Sequence, residues 1–387
     1  MERNPLVVYA DGPNGALPDP AQVQAIAALG QPEVLLGWVI RQPSWLDTYQ
    51  GPIRTWMAGY GLRDGVRSGR VRAVPTRLSS VPGLLAGRQR PALAVVGARR
   101  SGRNGFRLVG GAGWAPAAAA AAAGVVVEVW PEGAGIEGPP VPGHIVEVVA
   151  RSDGPDEAPR HNHDAIDRRI GELASSLIPE GATLQWGPGA LCAAVIDALI
   201  LPVRVLTGLA TDELAGLQRR GLLIGQAEAA YAWGGPALQT LAAAGHLRLA
   251  PVTETHDPSR LAGIAGLVAC NTALQVGLDG AVNVEAVGGR VVAGPGGHAD
   301  FAEAATRAVD GRSVIVCRST HNGRSSIVAV PDVVTTSRSD VGFVVTEHGI
   351  ADLRDVDPAR RAQRLVAVAA PEHRAALLAA NSAADAV

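Results

Sequence analysis

The sequence contains no lysine, so all 34 of its basic residues are arginines. This absence excludes a mechanism in which a lysine forms a Schiff base or acts as the general base. Only three cysteines are present, Cys192, Cys270 and Cys317, and their odd number and wide spacing fit neither a disulfide framework nor a zinc site. We therefore expect a reducing, cytoplasmic location, with no metal and no redox cofactor.

Long apolar runs and a strong charge imbalance are also missing. The longest apolar run, around residues 115–127, is broken by Pro116 and Gly124 and is too short to span a bilayer. The N-terminus shows no basic region followed by a long apolar stretch, so no signal peptide is expected. A formal net charge of −2 gives no reason to expect nucleic acid or a membrane surface as a partner.

What is present is an alternation of short β-rich runs with helical patterns, which predicts an α/β protein with mostly parallel sheets. The predicted strands of the first half are Leu6–Ala10, Glu33–Ile40, Ala92–Gly97, Val125–Trp130 and Ala182–Trp186. A length of 387 residues predicts two or three domains. We place the boundary near residue 200, giving domains 1–200 and 201–387, although composition alone would place it in the polar loop 151–163. His161 and His163 of that loop lack further ligands at useful spacing, so a solvated loop is favoured over a metal site.

Two glycine-rich loops each lead into a helical pattern. Gly187-Pro188-Gly189 follows the strand predicted to end at Trp186, and Gly294-Pro295-Gly296-Gly297 directly precedes His298. A loop that leads into a helix start exposes backbone N–H groups at the positive end of the helix dipole, which suits an anion or a developing oxyanion. A tight turn packed close to a helix explains the same pattern.

Several motifs resemble the acetyl-CoA hydrolase and family I CoA-transferase group, which includes 4-hydroxybutyrate and acetate CoA-transferases. The motifs are EGATLQWGPGAL from Glu180, NTALQVGLDGAVNVEAVGG from Asn271, GPGGHADF from Gly294, STHNGRSSIV from Ser319, VVTEHGIADLR from Val344 and PEHRAALL from Pro371. The resemblance implies two open, mostly parallel α/β domains of the CoA-transferase type with the active site between them. It also implies coenzyme A, bound as an acyl-CoA substrate, a carboxylic acid as a possible second substrate, and a homo-oligomer, commonly a dimer.

The same resemblance implies roles for individual residues. The two glycine loops supply N–H donors to the thioester oxygen. The predicted CoA-binding residues are Gly187, Gly189, Asn271, Gly294, Gly296 and Gly297. In such enzymes a glutamate of the second domain attacks the thioester and becomes a glutamyl–CoA thioester, which passes CoA to another acid.

The glutamate position is where this sequence departs from the family. The corresponding stretch runs from Thr207 to Asp212, and the place of the nucleophile is taken by Gly208. A glycine has no side chain, so no glutamyl intermediate forms there, and the space suits a water molecule or a bulkier acyl chain. A shifted register would make Glu213 the nucleophile, but it requires a deletion in the following helix. Asp212 matches a family acid and suits either a general base or a helix-capping group.

Two further departures concern charged or titratable groups. The loop Gly97–Gly105 carries Arg99, Arg100 and Arg103 where the family has a serine- and proline-rich stretch. Clustered guanidinium groups bind carboxylates or phosphates, which suggests an acyl group bearing its own carboxylate or a CoA phosphate; a solvated basic loop is the alternative. His298 stands where the family commonly has glutamine, and acts either as a base near pH 7 or as a hydrogen-bonding loop residue.

The leading hypothesis from the sequence is an enzyme that hydrolyses a thioester or a C–C bond of an acyl-CoA without a covalent enzyme intermediate, with Asp212 or His298 as general base. One alternative is a true CoA-transferase that uses Glu213. The other is a non-catalytic acyl-CoA-binding protein or partner subunit.

Overall fold

The computed structural model describes residues 4–384 except 14–16, 21, 24–28, 104, 134, 152–157 and 159–160, and the side chains only as far as residue 380. The strands within these ranges are β1 Leu6–Tyr9, β2 Glu33–Leu36, β3 Ile53–Thr55, β4 Arg72–Ala73, β5 Leu93–Ser101, β6 Gly105–Val109, β7 Gly124–Val129, β8 Glu137–Pro140, β9 Ile145–Ala150, β10 Thr183–Trp186, β11 Arg204–Ala210, β12 Ala227–Ala232, β13 Leu247–Leu249, β14 Leu267–Thr272, β15 Gln275–Gly277, β16 Val282–Asn283, β17 Ala286–Val287, β18 Arg290–Val291, β19 Arg312–Val316, β20 Thr320–His321, β21 Arg324–Ser325, β22 Ile327–Val328, β23 Phe343–Thr346 and β24 Gly349–Asp352.

The described α-helices are α1 Arg63–Arg67, α2 Val81–Ala86, α3 Ala115–Ala121, α4 Ala165–Ser175, α5 Ala190–Asp197, α6 Asp212–Arg219, α7 Pro236–Ala243, α8 Val252–Thr255, α9 Pro258–Ala262, α10 His298–Arg307, α11 Pro358–Val368 and α12 Pro371–Ala384. None of them is long and apolar enough to cross a membrane. Asp19-Pro20 supplies an N-cap followed by a proline at the first helical position, which predicts a helix as far as Leu29, but this segment falls largely outside the described residues.

The chain forms two compact units, and each is built from several segments. Unit 1 contains residues 1–158, 228–257 and 290–296, and unit 2 contains residues 159–227, 258–289 and 297–387. The predicted boundary near residue 200 thus lies inside unit 2, and the chain passes between the units five times rather than once. Residues 228–257 belong to unit 1 because Tyr231 and Pro251 form β-bridges with Gly111 and Gly113.

Unit 1 is built on a mostly parallel sheet in which β1 lies between β2 and β5, and β7 pairs with the other side of β5. Its strands are continuous apolar runs, such as Leu-Val-Val-Tyr in β1, and every residue of β1 is buried. Such runs are typical of parallel strands covered on both faces. The α/β class predicted from the sequence is confirmed here and in unit 2.

The region predicted as a loop, residues 97–105, differs from the expectation. β5 continues as far as Ser101 and pairs antiparallel with β6, so most of the loop is a hairpin. The predicted strand end at Gly97 is wrong, because pairing with β6 continues the strand through residues 98–101. Arg99 and Arg100 instead alternate along the strand, with Arg99 in an ion pair to Glu137 and Arg100 5.4 Å from the Phe106 ring centre.

Unit 2 holds the strand order β11-β10-β14-β19-β23-β24, parallel except for the last pair. The strand–glycine loop–helix unit predicted after residue 182 is present as β10, Gly187–Gly189 and α5. Helices α4 and α5 pack closely, because the glycine at position 171 leaves no Cβ: an added Cβ would lie 2.5 Å from the Ala194 carbonyl oxygen. In a parallel α/β sheet of this kind, ligands bind beyond the carboxyl ends of the strands.

Candidate active site

Three residues selected from the sequence lie at or near the carboxyl ends of neighbouring parallel strands of unit 2. The register pairs Trp186 of β10 with Cys270 of β14, so the next step along the strands brings Gly187 level with Asn271. On the other side, Leu184 pairs with Val205, and the same extension brings Gly187 level with Gly208 of β11. Gly208, Gly187 and Asn271 therefore form a row across the carboxyl edge of the sheet.

The Asn271 side chain is held in a reciprocal amide pair with Gln185, both of them buried. Gln185 Nε2 donates to Asn271 Oδ1 at 3.0 Å, and Asn271 Nδ2 donates to Gln185 Oε1 at 2.8 Å. A Cβ at position 187 would lie 3.0 Å from Asn271 Oδ1, so the glycine at 187 leaves room for this pair. The amide pair thus links the carboxyl ends of β10 and β14.

Gly189 forms the start of α5 and has a backbone conformation that side chains disfavour. Its φ is 124°, and no side chain caps the first N–H groups of the helix. A Cβ added there would meet no atom within 4 Å, so the need for glycine is conformational and the backbone is open. Open, uncapped N–H groups at a helix start are suited to an anion or an oxyanion.

His298, the first residue of α10, is buried against the end of β14. Its Nδ1 lies 2.7 Å from Thr336 Oγ1. Burial lowers its pKa to about 4, and a hydrogen bond with the Thr272 backbone opposes that shift. The imidazole is therefore neutral at pH 7 and is a weak proton acceptor there.

The other two predicted catalytic residues begin α6, the helix after β11. Asp212 and Glu213 lie in its first turn; Asp212 is exposed and Glu213 is half-buried. Thr207, just before Gly208, donates from its hydroxyl to the Trp186 carbonyl oxygen at 3.1 Å, which ties β11 to β10. Asp212 follows Gly208 by four residues on a rigid strand-to-helix turn.

A cleft of about 940 Å³ opens at this edge of unit 2. Among its walls are the loop and helix start Pro188–Leu191, the residues Thr272–Gln275 after β14, and the hairpin of β20 and β21. Of the residues predicted from the sequence, only Gly189 is in its lining. Thr272, which contacts His298, is in the lining as well.

One wall of the cleft is held by an ion-paired cluster that the sequence did not reveal. Arg318 follows β19, and its Nε donates to Asp167 Oδ1 at 2.9 Å while its Nη2 donates to Asp164 Oδ2 at 2.9 Å. Asp164 is also the N-cap of α4 and forms a capping box with Asp167. The Arg318 guanidinium group thus joins the start of α4 to the end of β19. The backbone hydrogen bond from Asp167, together with Arg318, lowers the pKa of Asp164.

The predicted arginine cluster lies in unit 1, on the hairpin of β5 and β6. Arg99 and Arg107 face each other across the strands, and both form ion pairs with Glu137, the Arg107 Nε at 2.7 Å from Oε1. Two like charges directly opposite each other repel, and the shared carboxylate offsets this repulsion. Arg103 is exposed near the turn. The Arg99 guanidinium therefore has a partner within its own unit.

Two glycines of the second predicted loop are accounted for by packing inside unit 1. A Cβ on Gly294 would lie 2.8 Å from the Trp56 carbonyl oxygen, and the Gly296 carbonyl accepts from the Leu78 N–H at 3.1 Å. Gly297, the N-cap of α10, belongs to unit 2. The loop therefore has a structural role whether or not it also contacts a ligand.

Unit 1 also contains a buried acid that the sequence gave no reason to select. Tyr231 donates a short hydrogen bond to Asp11 Oδ2, and both side chains are buried. Burial raises the pKa of Asp11 to about 7, although the bond from Tyr231 and N–H groups of Trp114 lower it. This pair joins the end of β1 to β12.

Comparison with known proteins shows which proteins the chain is similar to. Residues 238–381 match the model of the acetyl-CoA hydrolase/transferase C-terminal domain. The chain is a relative of the acetyl-CoA hydrolases and CoA-transferases. Asn271, Gly297 and His298 lie inside the matched residues, whereas Gly189 and Gly208 lie outside them.

Individual relatives agree with this family. The 4-hydroxybutyrate coenzyme A transferase of Clostridium kluyveri is 29% identical over 237 residues, which are 55% of this chain and 53% of the relative. The chain therefore spans about half the length of the curated relatives it matches.

Solved structures resemble the fold over nearly the whole chain. RipA from Yersinia pestis matches with a TM-score of 0.86 and 23% identity, covering 100% of this chain and 96% of RipA. The 4-hydroxybutyrate CoA-transferase of Porphyromonas gingivalis matches with a TM-score of 0.76 and 23% identity, covering 97% and 92%. At this identity the likeness concerns the fold alone, and it confirms the predicted CoA-transferase type of α/β architecture.

Proposed function

We propose that the protein is an acyl-CoA-using enzyme in which water, rather than an enzyme carboxylate, attacks the acyl group. The observation that carries this proposal is the row of Gly208, Gly187 and Asn271 at the carboxyl edge of unit 2. At the position where the family resemblance places the attacking glutamate, this edge carries only backbone. The cleft beside it is lined by the open backbone of Gly189.

In this mechanism N–H groups at the start of α5 stabilise the negative oxygen that develops as water adds to the carbonyl carbon. Losing one such donor typically costs roughly 3–4 kcal/mol of transition-state stabilisation, so an intact set of donors sustains appreciable rates without a covalent step. For a thioester the carbon–sulfur bond then breaks, and the products are free CoA and a carboxylic acid. For a β-keto acyl-CoA, water would instead add to the β-carbonyl carbon. The bond between the α and β carbons would then break, and the products would be a carboxylic acid and a shortened acyl-CoA.

The experiment that tests this function is incubation with straight-chain, β-keto and carboxylate-bearing acyl-CoAs, with free CoA and product acids followed by mass spectrometry. Release of CoA and acid at equal rates without an added acceptor acid supports hydrolysis. Formation of the acceptor's acyl-CoA together with the product acid, without free CoA, supports a transferase using Glu213, the half-buried acid of α6. Tight binding with no turnover supports a non-catalytic binder.

We assign the general base to Asp212 and a hydrogen-bonding role to His298, whose pKa of about 4 makes it a weak base at pH 7. Asp212→Asn is expected to lower kcat/KM by about 10²- to 10⁴-fold, the usual contribution of a general base. His298→Gln preserves a partner for Thr336 and is expected to change kcat/KM by less than about threefold. A large loss in His298→Gln with little loss in Asp212→Asn would reverse the assignment.

A further inference from the structure

The hairpin of β20 and β21 forms part of the cleft in unit 2 and carries donor groups. Asn322 and Gly323 form its two-residue turn, with φ of 49° and 72°. Positive φ at both positions is the type I′ geometry, whose twist matches that of a two-stranded ribbon. The turn therefore presents the flanking side chains in a defined arrangement rather than on a long loop.

His321 and Arg324 are direct cross-strand partners in this hairpin, so their side chains share one face. Both are exposed, and both line the cleft together with Asn322. Exposed residues that line a cleft lie at its rim. The rim therefore offers a guanidinium group, an imidazole and an amide, all able to donate hydrogen bonds to an anion.

Charged groups of both signs surround this rim, and their partners decide which of them is available to an anion. Arg318 is engaged by the two carboxylates described above, Asp164 and Asp167, with its Nη2 2.7 Å from Asp167 Oδ2. Asp332 also lines the cleft, and its Oδ2 accepts the Gly288 backbone N–H at 2.6 Å. The Arg324 guanidinium forms no ion pair with any residue that the structure describes. Arg324 is thus the cationic group of this rim that can pair with an anionic ligand.

We propose that His321, Asn322 and Arg324 bind phosphate groups at the nucleotide end of coenzyme A, while the acyl end lies toward Gly189. This inference rests on the proposed use of an acyl-CoA. A guanidinium group and neighbouring N–H donors match the oxygens of a phosphate. A cleft of about 940 Å³ also exceeds what a short acyl group fills, because ligand pockets of roughly 300–1,000 Å³ hold molecules of drug size.

The test is calorimetric titration of the full chain with CoA and with pantetheine, which lacks the nucleotide and its phosphates. Arg324→Ala is expected to weaken CoA binding about tenfold and to leave pantetheine binding unchanged, since it removes one charge-assisted contact at a solvent-exposed rim. Arg324→Lys keeps the charge and should recover most of the affinity. Arg360→Ala, an exposed arginine of α11 outside the cleft lining, is the matched control and should bind CoA as the parent does.

A second readout is salt dependence. Raising the salt concentration from about 0.05 M to 0.3 M should weaken CoA binding more in the parent than in Arg324→Ala, because screening acts on the contact that the variant lacks. If CoA binds the parent and Arg324→Ala equally well, the rim assignment is wrong while acyl-CoA use stands. If CoA does not bind the parent, both the rim assignment and the proposed use of an acyl-CoA are wrong. If inorganic phosphate alone binds as tightly as CoA, the rim is a general anion site and the assignment to CoA is wrong.

Discussion

Gly208→Glu is expected to give the proposed hydrolase the activity of a CoA-transferase. Gly208 lies level with Gly187 at the strand ends, so the new carboxylate would stand at the edge where the thioester is proposed to react. Its attack on the acyl carbon expels CoA thiolate and forms a mixed anhydride. The thiolate then attacks the glutamyl carbon, which releases the carboxylic acid and leaves a glutamyl–CoA thioester that passes CoA to a second acid. Removing a nucleophile typically costs roughly 10⁴- to 10⁶-fold, so even a poorly aligned glutamate should raise acyl exchange by about 10²-fold.

The measurement is the incorporation of a ¹³C-labelled acid into its unlabelled acyl-CoA, followed by mass spectrometry. Gly208→Gln is the matched control, because it has nearly the same volume and cannot form an anhydride. We expect exchange in Gly208→Glu alone. Equal exchange in the parent and in both variants would mean that another carboxylate, such as Glu213, already serves as nucleophile.

The second large effect concerns stability and pH. Asp11, buried and bonded to Tyr231, has its pKa raised to about 7, whereas the unfolded chain has an ordinary aspartate. Because the folded protein holds this proton more tightly, the free energy of unfolding should decrease as the pH rises from about 4 to 7. The contribution of Asp11 over that range is roughly 4 kcal/mol. Above pH 7 the carboxylate is charged in both states and the loss is complete.

Asp11→Asn should remove this dependence, since the amide oxygen still accepts from Tyr231 and cannot ionise. The difference in unfolding free energy between the variant and the parent, measured by denaturant titration at pH 5 and pH 8, should therefore favour the variant more strongly at pH 8. The variant must be compared with the parent because two buried histidines oppose the effect of Asp11. Burial lowers the pKa values of His256 and His298 to about 3 and about 4, so their contribution to the free energy of unfolding increases as the pH rises. Asp47→Asn, an exposed aspartate of unit 1, is the control and should leave the pH dependence unchanged. A parallel pH dependence in Asp11→Asn and the parent would contradict this account.

Sequence patterns predicted the structural elements that depend only on residues close together in the chain. The strand, glycine loop and helix around Gly189 were predicted because each step has its own residue signature, and all three are present. The hairpin with Arg324 was missed as a structural element, although Asn322-Gly323 is itself a strong turn signal. It had been noted only as part of a family motif.

Long-range pairing explains most of what the sequence did not reveal. Asp11 and Tyr231 are 220 residues apart, and no local pattern connects them. Arg318 pairs with Asp167, 151 residues earlier, for the same reason. The five passages of the chain between the units likewise depend on bridges between distant segments, which a contiguous division of the sequence does not anticipate.

His298 illustrates how packing changes the basicity of a residue whose place at a helix start was predicted. Its position at the start of a helix was predicted, but its basicity was not, because burial rather than sequence sets it. Similarly, the loop with Arg99, Arg100 and Arg103 was expected either to bind an anionic group or to be solvated. Arg99 instead forms an ion pair with Glu137 on a hairpin strand.

The most direct test of the central claim is a single turnover of a hydrolysed acyl-CoA in H₂¹⁸O, with enzyme in excess over substrate. Water attack on the acyl carbon puts one ¹⁸O atom into the released acid, and no enzyme peptide gains mass. That is the predicted result. Attack by an enzyme carboxylate would instead release an acid carrying an unlabelled oxygen from the enzyme, and the ¹⁸O would appear in a peptide such as the one containing Glu213. Unlabelled acid together with a labelled peptide would contradict the account.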